Sequence, residues 1–270
     1  MKKKVRINGY LAAGLILTAV IILWIVVGQF YTPYDPTKMS MDKLQGPTLA
    51  HLFGTDRFGR DIFSRVMRGS WTTLVIAVST VAIGCVVGTI IGAVTGYFGG
   101  AADEALMRIN DALTAFPSIL LALVIISFLG PGKYNVTVAL GIVFIPSFAR
   151  VTRTAFAAQR DVNYITSARL MGASWIRILV VHMLPNTINV LLPAVTIGFN
   201  NAVLAEASMS FLGIGVNPPD VSMGYMLSEA QGMIKAAPWY AISVGIMIAL
   251  LIFGVGLIGE GMQRLDKEVG

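Results

Sequence analysis

Residues 164–186 read YITSARLMGASWIRILVVHMLPN. This is a long, arginine-bearing, weakly apolar segment in a chain otherwise built for lipid. Asn163 stands before it as a cap for a helix beginning at Tyr164. Ala168 and Gly172 are four apart, which predicts a small-residue notch. Leu170, Met171 and Trp175 offer apolar anchors beside Ala173 and Ser174, and Arg169 and Arg177 flank them. Leu184-Pro185 predicts a stop before the next apolar run. Two readings fit these residues: a short helix seated in a groove of another protein, or an amphipathic helix lying on a membrane surface.

Working outward, the rest of the chain defines the solvent. Of 270 residues, 56% are hydrophobic and only 13% charged, against about 25% charged in a soluble domain. Such a chain cannot hide its apolar surface in water. A span needs about 20 apolar residues, and six stretches qualify: 9–29, 73–97, 107–129, 134–156, 188–212 and 240–259. The expected fold is an all-α membrane protein of about six transmembrane helices. Pro117 predicts a kink at the third span. Pro146 interrupts the fourth, which Arg150 and Arg153 close; proline is tolerated in a membrane helix whose neighbours satisfy the freed backbone groups.

The chain opens Met1-Lys2-Lys3-Lys4, and an apolar run follows from Gly9 to Val27. That run is longer than the ~7–15-residue core of a signal peptide, so it reads as an uncleaved first span entering from the cytoplasm. Lysine and arginine set the orientation. With the N-terminus inside, the inner side holds Lys2, Lys3, Lys4, Arg6, Arg108, Arg150, Arg153, Arg160, Arg169, Arg177, Arg264 and Lys267, which is twelve of the twenty. The outer side holds Lys38, Lys43, Arg57, Arg60, Arg65, Arg68, Lys133 and Lys235. The chain then divides into residues 1–30 (N-terminus and first span), 31–70 (an outer segment) and 71–267 (a core of five spans with an inner loop at 157–187).

Several chemistries are absent. The net charge of +6 reflects loops, since no basic-aromatic patch for nucleic acid accompanies it. His51 and His182 are isolated, and no Cys, His, Asp or Glu cluster has metal-ligand spacing. Gly130-Pro131-Gly132-Lys133 lacks the outer glycine and the Ser/Thr of a phosphate-cradling loop. Any ATP is therefore handled elsewhere. The single cysteine, Cys85, packs as a small hydrophobe.

Two features inside the spans stand out. Gly84, Gly88, Gly92 and Gly96 recur every fourth residue, and four residues advance about 400°. They form a smooth, slowly drifting stripe that lets another helix approach closely, for tight packing or for sliding. Glu206 is an ionisable residue within a span, and such residues are costly and usually functional. Ser210 is its neighbour on one helical face, and Asn200 and Asn201 precede it. The group either lines a polar pathway or gate, or satisfies partners in a packed interface. Arg108 and Asp111, three apart, are expected to pair locally.

The 164–186 segment resembles the cytoplasmic loop of ABC-importer permeases, whose pattern is Glu-Ala-Ala, three residues, Gly, nine residues, Ile, one residue, Leu-Pro. Thr166-Ser167-Ala168 stands for the triplet, with Gly172, His182 and Leu184-Pro185 at matching spacing. The glutamate and isoleucine are missing, as fits the branch importing peptides and nickel. Further stretches are similar to that branch: His51 to Arg65, Met107 to Pro117, Glu206 to Pro219 with Ala237-Pro238-Trp239, and Gly259 to Asp266, where Glu260 takes a position commonly held by aspartate. The resemblance implies a type I importer permease fold whose cytoplasmic coupling helix sits in a cleft of an ATPase. It also implies a homologous second permease, two ATPase subunits that bind ATP and Mg, an extracytoplasmic binding protein, and a bacterial plasma-membrane location. This chain would carry no cofactor and no catalytic residue. Di- or oligopeptides are the implied cargo, and nickel or a metal chelate is the alternative. A secondary transporter is a different class; it would need its own ion-coupling site and often internal repeats.

Overall fold

A computed structural model describes residues 8–269, with side chains as far as Leu265. The basic residues Lys2, Lys3, Lys4 and Arg6 lie outside the described residues, as does the side chain of Lys267. Ten α-helices follow in order: α1 (Gly9–Phe30), α2 (Ile62–Phe98), α3 (Gly100–Thr114), α4 (Ser118–Leu129), α5 (Lys133–Gln159), α6 (Asn163–Leu170), α7 (Trp175–Arg177), α8 (Leu184–Phe211), α9 (Met223–Gln231) and α10 (Pro238–Val269). A π-helical turn (Ile178–Met183) joins α7 to α8. The class is all-α, as the composition requires.

Five helices are long and apolar enough to cross a membrane, and six spans result when α3 and α4 are taken as one broken span bent by 90°. The break is at Pro117, whose ring and missing N–H oppose continuation of the helix. α2 begins at Ile62, well before the apolar run at 73, because Asp61 caps it: its carboxylate accepts the Ser64 N–H at 2.8 Å. Leu184-Pro185 does not stop the chain. The residues before it widen into the π-helix, and Pro185 falls in the first turn of α8, where its missing N–H is not needed. One helical rod, Trp175–Phe211, results.

The helices alternate in direction, so the molecule has two faces. The loop face carries residues 31–61, the 212–222 loop and α9. The short-helix face carries α3, α6, α7, the start of α1 and the end of α10. α1 and α10 run antiparallel in close contact; a Cβ at Gly14 would sit 2.7 Å from the Ile258 nitrogen, and Asn8 Nδ2 donates to the Gly261 carbonyl at 2.8 Å.

α2 and α5 run parallel, and the glycine stripe is their seam. A Cβ at Gly84 would lie 2.8 Å from Phe144 Cβ, at Gly88 2.7 Å from Phe148 Cβ, at Gly92 2.7 Å from Thr152 Cβ, and at Gly96 2.8 Å from Phe156 Cβ. Each glycine receives one turn of α5. The hydrophobic effect between helices is weak in lipid, so this close van der Waals approach supplies the attraction.

Candidate functional site

α6 projects from the short-helix face and starts one residue before the sequence predicted: Val162, extended, is its cap, and Asn163 is its first residue. It ends in a Schellman motif. The Ala173 N–H donates to the Ala168 carbonyl at 3.1 Å and the Gly172 N–H to the Arg169 carbonyl at 3.0 Å, with Gly172 at φ +81°, a conformation glycine adopts without strain. Ser174 then caps α7.

Ala168 and Gly172 do not form an outward notch. Ala168 is buried against Ala93, Tyr97 and Phe156 beneath the loop, because Ile165 and Ala168 share the inner face of α6. Arg169 lies over the Tyr97 ring at 5.5 Å. Trp175 packs edge-on against Phe98 at 5.6 Å. These three residues fasten the loop to the ends of α2 and α5. What faces outward is Leu170 and Met171, 84% and 81% exposed, with Gly172 in open space. Leu184 is partly covered, and Pro185 is exposed on the flank of the rod.

Glu206 is fully buried on α8. Thr73 Oγ1 of α2 donates to one carboxylate oxygen at 2.8 Å, and Ser210 Oγ donates to the other at 2.7 Å. Each hydroxyl also accepts a backbone N–H: Met223 donates to Thr73 at 3.1 Å, and Val216 to Ser210 at 2.9 Å. The carboxylate thus ends two relays that fix both limbs of the loop between α8 and α9. Asn200 is half-buried, with its Oδ1 unpartnered. Asn201 is exposed, and with Ser118, Ser147 and Ser208 it lines an open groove between α4, α5 and α8. The four residues grouped from the sequence therefore separate: Glu206 and Ser210 face inward, and Asn201 faces the groove.

Near the short-helix face, Arg108 does not pair with Asp111. Arg108 binds Glu104 at 2.6 Å and Asp111 binds Arg150 of α5 at 2.8 Å. A glutamate four residues before an arginine is the better helical arrangement, which frees the short Asp111 side chain to reach across to α5.

A second polar cluster, which no sequence motif marks, lies on the loop face. Arg65 is 1% exposed. It donates to Asp56 at 2.6 Å, to the Tyr240 hydroxyl at 3.0 Å and to Glu229 at 2.6 Å. Arg60 bridges the same two carboxylates, at 2.6 and 2.9 Å. Two arginines and two acids from the 31–61 segment, α2 and α9 thus join over the start of α10. Burial holds the nearby Tyr225 phenol above its ordinary pKa, with the Glu229 charge adding to the effect. In the outer segment, the Thr37 hydroxyl and amide hold the Asp35 carboxyl below its ordinary range. The available signal was the density of charge in Asp56-Arg57-Phe58-Gly59-Arg60-Asp61 in a chain so poor in charge. Their distant partners, Glu229 and Tyr240, left no such mark.

A family model described as binding-protein-dependent transport system inner membrane component matches residues 88–265. The chain belongs to this family. Relatives in it include a dipeptide transport system permease protein of Haemophilus influenzae, 36% identical over 95% of this chain and 90% of that one. A glutathione transport system permease protein of Pectobacterium atrosepticum is 38% identical over 96% and 86%. A chain of the MetNI methionine ABC transporter, solved in an inward-facing conformation, shares the fold with a TM-score of 0.62 over 76% of this chain and 96% of its own, at 23% identity. As a binding-protein-dependent inner membrane component, the chain is a multi-pass membrane subunit whose family works with ATPase and permease partners.

Proposed function

We propose that this chain is one of two permease subunits of an ATP-driven importer of short peptides. The observation that carries this reading is the α6 tip. Leu170 and Met171 present bare apolar surface on a loop that its Schellman end and inner contacts tie to the spans, the arrangement needed to transmit force from a separate engine. The loop residues then divide by role: Ala168, Arg169 and Trp175 tie it to the spans, while Leu170, Met171 and Gly172 meet an ATPase.

The short-helix face is cytoplasmic in this proposal. Arg150, Arg153, Arg160, Arg169 and Arg177 gather there, as positive charge does on the inner side of membrane proteins. ATP and Mg bind on two partner ATPases, and this chain does no chemistry of its own. The loop face then looks outward, toward an extracytoplasmic binding protein. The groove with Asn201 and Ser208 borders the homologous second permease and the path, while Glu206 and Ser210 anchor the loop that leads to it. The peptide names of the relatives support peptide cargo over nickel.

The test is uptake of labelled di- and oligopeptides, and of nickel, in cells with and without this chain. Loss of peptide uptake on deletion is expected. Loss of nickel uptake alone would replace the cargo and keep the coupling argument. Uptake that survives ATP depletion while a proton gradient remains would refute the proposal.

A further inference from the structure

Where α5, α6 and α8 meet on the short-helix face, four side chains close a polar ring. Gln159, the last residue of α5, accepts the Tyr164 hydroxyl of α6 on Oε1 at 2.9 Å. Its Nε2 donates to Thr187 Oγ1, in the first turn of α8, at 3.0 Å, and to the Ala155 carbonyl at 3.2 Å. Asn186, beside Thr187, donates back to the Tyr164 hydroxyl at 3.3 Å. One glutamine amide thus reaches both neighbouring helices and has every hydrogen in use. Thr187 is fully buried, Gln159 is half-buried, and Tyr164 and Asn186 are exposed.

The ring stands over the π-helical turn, a feature frequent at functional sites. Pro185 brings no N–H to this stretch. Asn186 Nδ2 also donates to the His182 carbonyl at 2.8 Å, and Thr187 Oγ1 to the Met183 carbonyl at 2.9 Å. Apolar packing already holds α6 here, since Ile165 and Ala168 lie against Ile178, Leu179 and Met183. Such packing is non-directional, whereas hydrogen bonds depend on distance and angle. The ring therefore adds what packing cannot, a fixed angle between α6 and the start of α8.

The geometry points to Gln159 as a positioning residue for transport. It locks the end of α5 and the first turn of α8 to α6, so that a push on the Leu170–Met171 tip tilts both spans together. α5 fills the glycine seam of α2, and α8 carries Asn201 and Ser208 of the groove, so the tilt reaches both. This rests on the reading above that the tip meets an ATPase.

The experiment uses the assembled transporter, with its ATPases and binding protein, in proteoliposomes. ATP hydrolysed per labelled trialanine taken up is measured for wild type, Gln159→Leu, Tyr164→Phe, Thr187→Val and Thr187→Ser. Gln159→Leu should raise this ratio about fivefold, the low end of couplings between linked sites, with the ATPases copurifying in wild-type amounts. Tyr164→Phe and Thr187→Val each remove one bond to Gln159 and should raise it less. Thr187→Ser keeps the hydroxyl and should match wild type. Tyr164→Phe added to Gln159→Leu should change nothing further, because both act through one bond. A purely structural role would lower hydrolysis and uptake together and leave the ratio unchanged, and that result in Gln159→Leu would overturn the assignment. Additive effects in the double variant would overturn it too. If Gln159→Leu fails to fold, Tyr164→Phe and Thr187→Val decide, and wild-type ratios in both would sink it. Tight coupling in wild type with unaffected variants removes only the ring and leaves the importer reading standing. Wild-type uptake of trialanine without ATP hydrolysis would refute that reading, and the role of Gln159 with it.

Discussion

Glu206 is the residue whose replacement tests the structure most directly. Glu206→Ala removes both acceptors of the Thr73 and Ser210 hydroxyls, which then donate to nothing in a dry site. Side-chain hydrogen bonds in membrane proteins contribute about 0.6 kcal/mol each on average and up to ~1.7. Two bonds give about 1–3 kcal/mol, and the lost methylene adds about 0.8. The total is about 2–4 kcal/mol. At about 2–4 °C per kcal/mol for a chain of this size, Tm should fall by about 5–15 °C. Glu206→Gln keeps one oxygen and turns one acceptor into a donor, so it should cost about 1 kcal/mol and about 2–4 °C. The assay is thermal unfolding of the purified complex in detergent, read beside the labelling rate of a cysteine placed at the buried Val216, on the loop that the two relays fix. Faster labelling should accompany the lower Tm. Glu206→Ala that melts within about 2 °C of wild type, with the loop equally protected, would refute the anchoring argument. So would Glu206→Gln that melts normally but abolishes uptake, since that result puts the carboxylate on the path.

The remaining predictions follow from the same geometry. Gly88→Leu should prevent accumulation of the folded chain, because even its Cβ would meet the Ile145 carbonyl and Phe148 at 2.7 Å, while Gly245→Ala, in open space, should be silent on immunoblots of membranes. Arg65→Ala leaves Asp56 and Glu229 with Arg60 as their one shared cation, so the loss should be about 2–3 kcal/mol, below the ~3–5 of a fully uncompensated buried charge. Thermal melts should place it well below Tyr240→Phe, which loses one hydroxyl and about 1 kcal/mol. Leu170→Asp with Met171→Asp should leave Tm unchanged and uncouple ATP hydrolysis from uptake; full uptake at normal expression would sink the docking role of the tip. Gly172→Arg should uncouple as well, with a Tm loss of about 1–2 kcal/mol equivalent from forcing a side chain into φ +81°.

Much of the architecture was legible because lipid demands it. Apolar runs of about 20 residues must be helices, so the spans, the break at Pro117 and the α2 stripe follow from local composition. The glycine period even identifies the seam, although the sequence does not say that α5 fills it. Ends were harder. Ile62–Thr72 carries Arg65 and Arg68 and reads as loop by hydropathy, yet Asp61 caps it as helix. Leu184-Pro185 reads as a stop, yet a π-turn upstream absorbs the proline.

The sequence by itself determined the solvent, the helical class, the spans and a loop with an apolar tip, since each depends on residues within a few turns of one another. Only the tertiary structure decided which side of each helix is dry. It turned Ala168 inward and Leu170 outward, gave Glu206 the hydroxyl of Thr73 from another helix, and assembled Asp56, Arg60, Arg65, Glu229 and Tyr240 from three parts of the chain. Charges and hydroxyls in a low-dielectric interior persist only with partners, and those partners lie far away in sequence. Pairing across helices is therefore a property of the packed molecule.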